Sequence, residues 1–242
     1  MAQRKFVWPE EEPASVGAVH TDIYSKPDLV LLSKRATTPS GKVYQFAKRS
    51  FDIVSSVCLL LLIWPAFILI AIAIKFDSKG PVIYRHERVG YNFRRFLLLK
   101  FRTMVVNADE MLENFTPKQR AEWEANFKLD DDPRITRVGR FLRKTSLDEL
   151  PQLLNIIRGD LSVVGPRPVV RRELERYGKN KSLFLSVKPG LTGNWQANAR
   201  NSCCYEERMQ MELHYARQAS FLWDMRIILA TFRSVFIGRG AK

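Results

Sequence analysis

The run Ile53–Ile74, IVSSVCLLLLIWPAFILIAIAI, holds 22 consecutive residues without a charge. As a continuous helix rising about 1.5 Å per residue it reaches roughly 33 Å, enough to cross the hydrocarbon of a bilayer. A soluble core seldom accommodates a helix of this length that is apolar on every side. The run therefore predicts membrane insertion. Pro65 lies near its middle, where a proline removes a backbone hydrogen bond and bends a helix. Lys48 and Arg49 precede the run and Lys75 and Lys79 follow it, so positive charge gives no inside–outside asymmetry. Two topologies satisfy these features. The helix spans, with Pro65 as a tolerated kink, or it enters, bends at Pro65 and returns to the same face. The second keeps all the flanking cations on the cytosolic side.

The rest of the chain is basic. Lys and Arg number 39 against 25 Asp and Glu, a net charge of +14. That excess favours an anionic partner: nucleic acid, anionic lipid or a phosphorylated small molecule. With 46% apolar and 11% aromatic residues, the chain is not wholly disordered. Cys58, Cys203 and Cys204 cannot build a disulfide framework and read as thiols in a reducing compartment. Residues 1–42 read as a flexible tail. Their Glu10-Glu11-Glu12-Pro13 and Thr37-Thr38-Pro39-Ser40-Gly41 segments break any periodic pattern, and no signal-peptide apolar region opens them.

Beyond the apolar run, Pro81 to Met104 predicts a β-hairpin turning near Gly90-Tyr91-Asn92. A strand over 96–103 would put Lys100 and Arg102 on one face, as a phosphate fork or a solvated edge. Residues 107–128 predict helix, with Pro117 opening a second segment. Asp130-Asp131-Asp132-Pro133 is a solvated turn or a metal site. Arg134, Arg137, Arg140, Arg143 and Lys144 recur at helical spacing as one basic stripe. Ser146-Leu147-Asp148-Glu149 matches a capping box, which would place both carboxylates at a helix N-terminus and favour their ionised form. An ionised carboxylate ringed by cations can attack phosphorus or hold Mg²⁺ against a phosphate. A capping box without chemistry fits the same residues.

Val163-Val164-Gly165-Pro166-Arg167-Pro168 holds Arg167 between two prolines, a rigid presentation that suits bidentate phosphate binding. Lys188-Pro189-Gly190-Leu191-Thr192-Gly193 is a glycine-flanked loop able to let backbone approach a ligand. It matches neither a Walker loop nor a dinucleotide fingerprint. The C-terminal run from Phe221 to Phe236 is apolar with sparse charge, as an interfacial helix or a core helix. His20, His86 and His214 are scattered and support neither a zinc site nor a Ser–His–Asp triad.

Four blocks, Lys100-Phe101-Arg102-Thr103-Met104, Asp132-Pro133-Arg134-Ile135-Thr136, Arg143 to Gln152, and Gly165-Pro166-Arg167-Pro168, occur in an order that resembles the bacterial sugar transferases. These are the monotopic phosphoglycosyl transferases that start exopolysaccharide and O-antigen repeat units. The resemblance covers about residues 46 to 237 and is to the short form, without additional N-terminal membrane helices. It implies a mixed, helix-rich α/β fold with a re-entrant helix broken near Pro65. The parts are a tail (1–42), a re-entrant membrane helix (43–78) and a cytoplasmic catalytic domain with C-terminal interfacial helices (79–242). It implies transfer of a hexose-1-phosphate, galactose or glucose, from a UDP-sugar to undecaprenyl phosphate with release of UMP. The implied location is the cytoplasmic face of the bacterial inner membrane.

By motif position the resemblance makes Asp148 the nucleophile, through a covalent phosphosugar–aspartate intermediate, and Glu149 the partner that binds Mg²⁺. It makes Lys100, Arg102, Arg143 and Arg167 the phosphate-binding cations. The implied partners are UDP-sugar, undecaprenyl phosphate and the bilayer, with no nucleic acid; a homo-oligomer stays open. Trp195-Gln196-Ala197-Asn198-Ala199-Arg200 departs from the family's Trp-Gln-x-x-Gly-Arg, with alanine in place of glycine before Arg200. The rival readings are a membrane-tethered basic binding module, a glycosyltransferase that releases nucleoside diphosphate, and a scaffold of a polysaccharide assembly complex.

Overall fold

The computed structural model describes residues 41–126, 129, 131–199 and 204–236. Nearly all of the expected tail, together with Asp130, Arg200 and Cys203, lies outside the described residues. The apolar run is built into α1 (Lys42–Asp77), a helix of 36 residues with Pro65 inside it, about 54 Å long at 1.5 Å per residue. The helix continues on both sides of Pro65, so the proline removes one ladder bond without ending the element. Leu60, Ile63, Phe67 and Ile70 alternate at spacings of three and four along one face and pack on buried residues of the following domain. Val54, Leu61, Leu62, Trp64, Leu69 and Phe76 remain exposed.

The expected hairpin forms as β1 (Ile83–Val89) and antiparallel β2 (Arg95–Phe101). Its register sets Tyr84 opposite Lys100, His86 opposite Leu98 and Arg88 opposite Phe96. Directly paired residues share a face, so Tyr84, His86, Arg88 and Lys100 line one side of the hairpin.

The helix expected over 107–128 is shorter than the sequence suggests. Among the described residues of that stretch only α2 (Pro117–Asn126) is α-helical, and 110–112 is a single 3₁₀ turn. Thr116 precedes the proline, which disfavours helical backbone there. Its hydroxyl accepts from Gln119 N while Gln119 Oε1 accepts from Thr116 N, so the helix begins at this reciprocal cap.

α3 (Arg137–Thr145) is N-capped by Thr136, whose Oγ1 accepts from Gly139 N at 3.0 Å. Asp77, the last residue of α1, accepts from Val138 N at 3.1 Å. The end of the apolar helix is thereby stitched to the start of α3. α4 (Gln152–Arg158) lies against α1, and its terminal carbonyls, Ile156 O and Ile157 O, accept from Arg49 at 2.6 and 2.8 Å. A cation at a helix C-terminus satisfies both the orphan carbonyls and the dipole.

β3 (Ser162–Val164) pairs in parallel with β4 (Gly190–Thr192). α5 (Arg171–Glu175) and α6 (Lys181–Phe184) lie between these strands in the chain. α7 (Asn194–Asn198), α8 (Tyr205–Gln218) and α9 (Phe221–Phe236) close the chain. A Cβ on Gly190 would lie 2.1 Å from Gly165 N, and one on Gly165 would lie 2.3 Å from Lys188 O. The glycine-flanked loop is pressed against the Gly165 turn, with no room for a side chain at either contact.

The core reading of the C-terminal run holds in part. Asp224 and Ile227 of α9 are buried, while Leu222, Leu229 and Phe232 are exposed. Asp224 anchors the helix to the start of α1. Its carboxylate accepts from Tyr44 at 2.8 Å, Lys48 at 2.7 Å and Tyr215 at 2.7 Å. Phe51 and Phe221 meet edge to face nearby.

Candidate active site

The chemistry-bearing segment is a turn between two helices. α3 ends on Ser146, which adopts a left-handed conformation, φ 58° and ψ 16°. That conformation disfavours a residue with a Cβ, and such strain concentrates at functional sites. Leu147–Glu149 then form one 3₁₀ turn, and α4 follows after Pro151. The expected capping box is therefore absent. Ser146 makes no side-chain cap and serves as the C-terminal residue of the preceding helix. Leu147 and Leu150 pack into the cluster of Ile74, Phe101 and Leu142, beside Phe67 and Ile70 of α1. The two carboxylates between them are held on the apolar helix by their own neighbours.

Asp148 is 8% exposed. Burial pushes its carboxyl above the ordinary carboxylate range, opposed by Lys100, Arg143 and Arg167 and reinforced by Glu149. Desolvation, and not a helix N-terminus, sets its proton affinity. Lys100 Nζ stands 2.8 Å from Glu149 Oε1 and 3.7 Å from Asp148 Oδ2. Arg167 NH1 is 3.6 Å from the same Glu149 oxygen. Arg143 Nε donates to Thr103 Oγ1 at 2.9 Å, which ties the end of α3 to the segment after β2.

The structure thus brings Asp148, Glu149, Lys100, Arg143 and Arg167 together. It leaves Arg102 out. The strand ends at Phe101, and the buried Arg102 guanidinium donates to Lys79 O and to Ser78 O, both at 2.7 Å. Arg102 is spent on the chain leaving α1, so Lys100 and Arg102 do not form one fork. The basic stripe also divides. Arg134 forms a bidentate pair with Asp132, at 2.8 and 2.6 Å, Arg140 is exposed, and Arg143 turns toward Thr103. Asp132 is thereby occupied by Arg134, which answers the metal reading of the Asp run at that residue.

Sequence reasoning passed over three residues. Asn155 on α4 is fully buried and treats β2 as a second strand would. Its Oδ1 accepts from Leu99 N at 2.9 Å and its Nδ2 donates to Leu97 O at 2.8 Å. It fixes the strand bearing Lys100 to the helix that follows Asp148. Arg88 lies beside Arg167 and Glu173; burial and the Arg167 charge lower its pKa to about 10, opposed by Glu173. His86 accepts from Arg88 NH2 at Nδ1, 3.3 Å away, since a guanidinium only donates. Burial, Arg88 and Lys100 lower the imidazole to about 4, so it is neutral at pH 7. No signal in the sequence distinguished Asn155 from its helical neighbours. The alternation of Tyr84, His86 and Arg88 along a strand could have found the other two.

Among the described residues no three His, Cys, Asp or Glu side chains form a metal cage on their own. Asp148 and Glu149 are adjacent hard oxygen donors, and Mg²⁺ takes one or two carboxylates when substrate phosphates and water complete its octahedron. The donor set fits that ion. At the departure before Arg200, Ala199 has φ −125° and its N–H donates to Trp195 O. That backbone requires no glycine.

A model of the bacterial sugar transferase family matches residues 43–238. The chain is similar to ExoY, an exopolysaccharide production protein of Rhizobium meliloti, with 46% identity over 90% of this chain and 96% of that protein. It is similar to the UDP-galactose-lipid carrier transferase of Erwinia amylovora, 46% identical over 81% of this chain and 42% of that protein. It is also similar to the undecaprenyl-phosphate galactose phosphotransferase of Salmonella typhimurium, 46% identical over 88% of this chain and 45% of that protein. The chain spans less than half the length of the latter two. The match runs from the first turn of α1 past the end of α9 and takes in both carboxylates and the cations around them, so the chain belongs to the bacterial sugar transferases.

Proposed function

We propose that this protein transfers galactose-1-phosphate from UDP-galactose to undecaprenyl phosphate and releases UMP, the first step of an exopolysaccharide repeat unit. The observation that carries the proposal is the buried Asp148 beside Glu149, faced by Lys100 and Arg167 and seated on the apolar helix α1. Phosphoryl transfer depends on positioning and charge neutralisation, and this arrangement supplies both. Asp148 Oδ attacks the phosphorus that carries the sugar. The bond from that phosphorus to the bridging oxygen breaks, and UMP leaves with the electron pair. An oxygen of undecaprenyl phosphate then attacks the same phosphorus and releases the Asp148 carboxylate. Lys100, Arg143 and Arg167 balance the phosphate charge, and Glu149 would hold Mg²⁺. When bound, that ion neutralises developing charge on the phosphate oxygens. Galactose is favoured because two relatives at 46% identity carry it in their names.

In this proposal α1 is re-entrant, bent at Pro65, and the catalytic domain sits on the cytoplasmic face. Support comes from the two ends of α1. Lys48 pairs with Asp224 near one end and Asp77 accepts from Val138 N at the other. Both ends make polar contacts with one folded body, whereas a spanning helix separates its ends by the bilayer. A tag at the N-terminus should label only from the cytoplasmic side; labelling only from the periplasm rules this topology out.

The deciding assay uses full-length protein in detergent with Mg²⁺, undecaprenyl phosphate and a panel of UDP-hexoses. UMP release with UDP-galactose is expected. Release of UDP would mean sugar-only transfer and would overturn Asp148 as the phosphoryl acceptor.

A further inference from the structure

We infer that Glu212 is a positioning residue for this reaction: its buried carboxylate fixes the backbone of Arg167, so that the guanidinium meets Glu149. The inference rests on the proposed role of Arg167 at the transferring phosphate. Pro166 and Pro168 carry no N–H, so Arg167 supplies the sole backbone donor of that triplet. The donor goes to Glu212 Oε1 on α8, at 3.2 Å and 45 residues away in sequence. On the other side of the turn Pro166 O accepts from Gly190 N at 2.8 Å. Gly165 N also donates to Thr192 O at 2.9 Å, so the turn is held by backbone contacts to β4 on one side and by one charged side chain on the other.

Glu212 is built as an acceptor. It is 1% exposed. Oε1 also accepts from Arg208 Nε at 3.3 Å, and Oε2 accepts from the Tyr177 hydroxyl. The Arg208 guanidinium lies 4.6 Å from the Trp195 ring and 5.2 Å from that of Tyr205, so it is itself locked in place. All three partners donate to the carboxyl group, which leaves it the acceptor in each bond. The chain of contacts runs from the α8 carboxylate to the Arg167 amide, and from the Arg167 guanidinium to Glu149 at 3.6 Å. Glu212 touches neither carboxylate of the site and acts through Arg167.

The test is a double-mutant cycle on the full chain in detergent, with UDP-galactose, undecaprenyl phosphate and Mg²⁺. Glu212→Leu should lower kcat/KM by about 10- to 100-fold, as loss of a supporting hydrogen bond behind a site residue does. The loss should fall on the same kinetic parameter as that of Arg167→Ala. Glu212→Gln should recover most of the activity, because its amide oxygen still accepts from the Arg167 N–H. Arg167→Ala with Glu212→Leu should be no worse than Arg167→Ala alone. Additive losses, or Gln as poor as Leu, would overturn the inference and return Glu212 to a general role in stability. Should Glu212→Leu not fold, Tyr177→Phe takes its place in the cycle, and its loss must vanish on the Arg167→Ala background. Full activity of Arg167→Ala by itself would overturn the underlying role of Arg167, an outcome separate from additivity.

Discussion

Asp148 carries a conflict at the residue scale. Its burial disfavours the charge that its proposed chemistry requires, and three cations only partly offset that cost. Because its folded pKa is raised, ionised Asp148 destabilises the fold at neutral pH, and that cost is relieved as pH falls through the folded pKa. Asp148→Asn should abolish turnover and raise the thermal-unfolding midpoint; a lowered midpoint would show that the carboxylate contributes net stability. Lys100 is the strongest influence lowering the Asp148 pKa. Lys100→Met should therefore move the acid limb of the pH–rate profile to higher pH, a limb that belongs to the coupled Asp148–Glu149 pair. An unmoved limb would remove Lys100 from the pair. His86 follows the opposite sign. Its contribution to stability is complete above its ordinary 6.5 and is lost as pH falls toward about 4. The capping-box pattern misled the sequence reading here because Ser146 is claimed by the helix before it, an outcome that depends on where Leu147 and Leu150 find a core.

At the scale of elements, the site is assembled from the ends of three pieces: β2, the turn between α3 and α4, and the turn after β3. Each is fixed by a contact that crosses from another element. Asn155 joins α4 to β2 through Leu97 O and Leu99 N, and Gly190 lets β4 press on the turn that carries Arg167. Asn155→Ala leaves a buried donor and acceptor without partners, a loss of about 1–3 kcal/mol. It should lower the unfolding midpoint by several degrees and reduce turnover along with it. Asn155→Asp keeps the acceptor for Leu99 N but sets a buried carboxylate against Leu97 O and Asp160 Oδ2, so it should be no more stable than Ala. Equal stability of Ala and Asn would show that β2 holds its place without this bridge. The hairpin was legible beforehand because β-rich residues flank turn residues. Arg102 was not, since alternation fixes a face only while the strand lasts, and the strand ends one residue earlier.

At the scale of the whole molecule, charge and apolar surface divide the labour. The net charge of +14 favours an anionic donor, as the proposed reaction requires, while α1 and the outer face of α9 present apolar side chains. Raising salt from about 0.05 to 0.5 M shortens electrostatic range from over 10 Å toward a few ångströms. It should raise KM for the UDP-sugar several-fold with kcat little changed. A salt-independent KM would leave donor capture to contacts within the site alone.

The sequence by itself determined that a membrane-capable helix precedes a basic, mixed α/β domain. Uncharged length is a local property. The Asp148–Glu149 pair and the proline-held Arg167 stood out as candidates, but local pattern left them open between structure and chemistry, and only the family resemblance gave them roles. The sequence could not decide which cations reach the carboxylates, nor that Asp148 is desolvated. Nor could it show that Asn155 and Glu212 hold the pieces in place. Those outcomes depend on residues 45 to 58 positions apart meeting in a low-dielectric interior, where burial sets proton affinity and an unmet hydrogen bond is costly. Only packing brings them there.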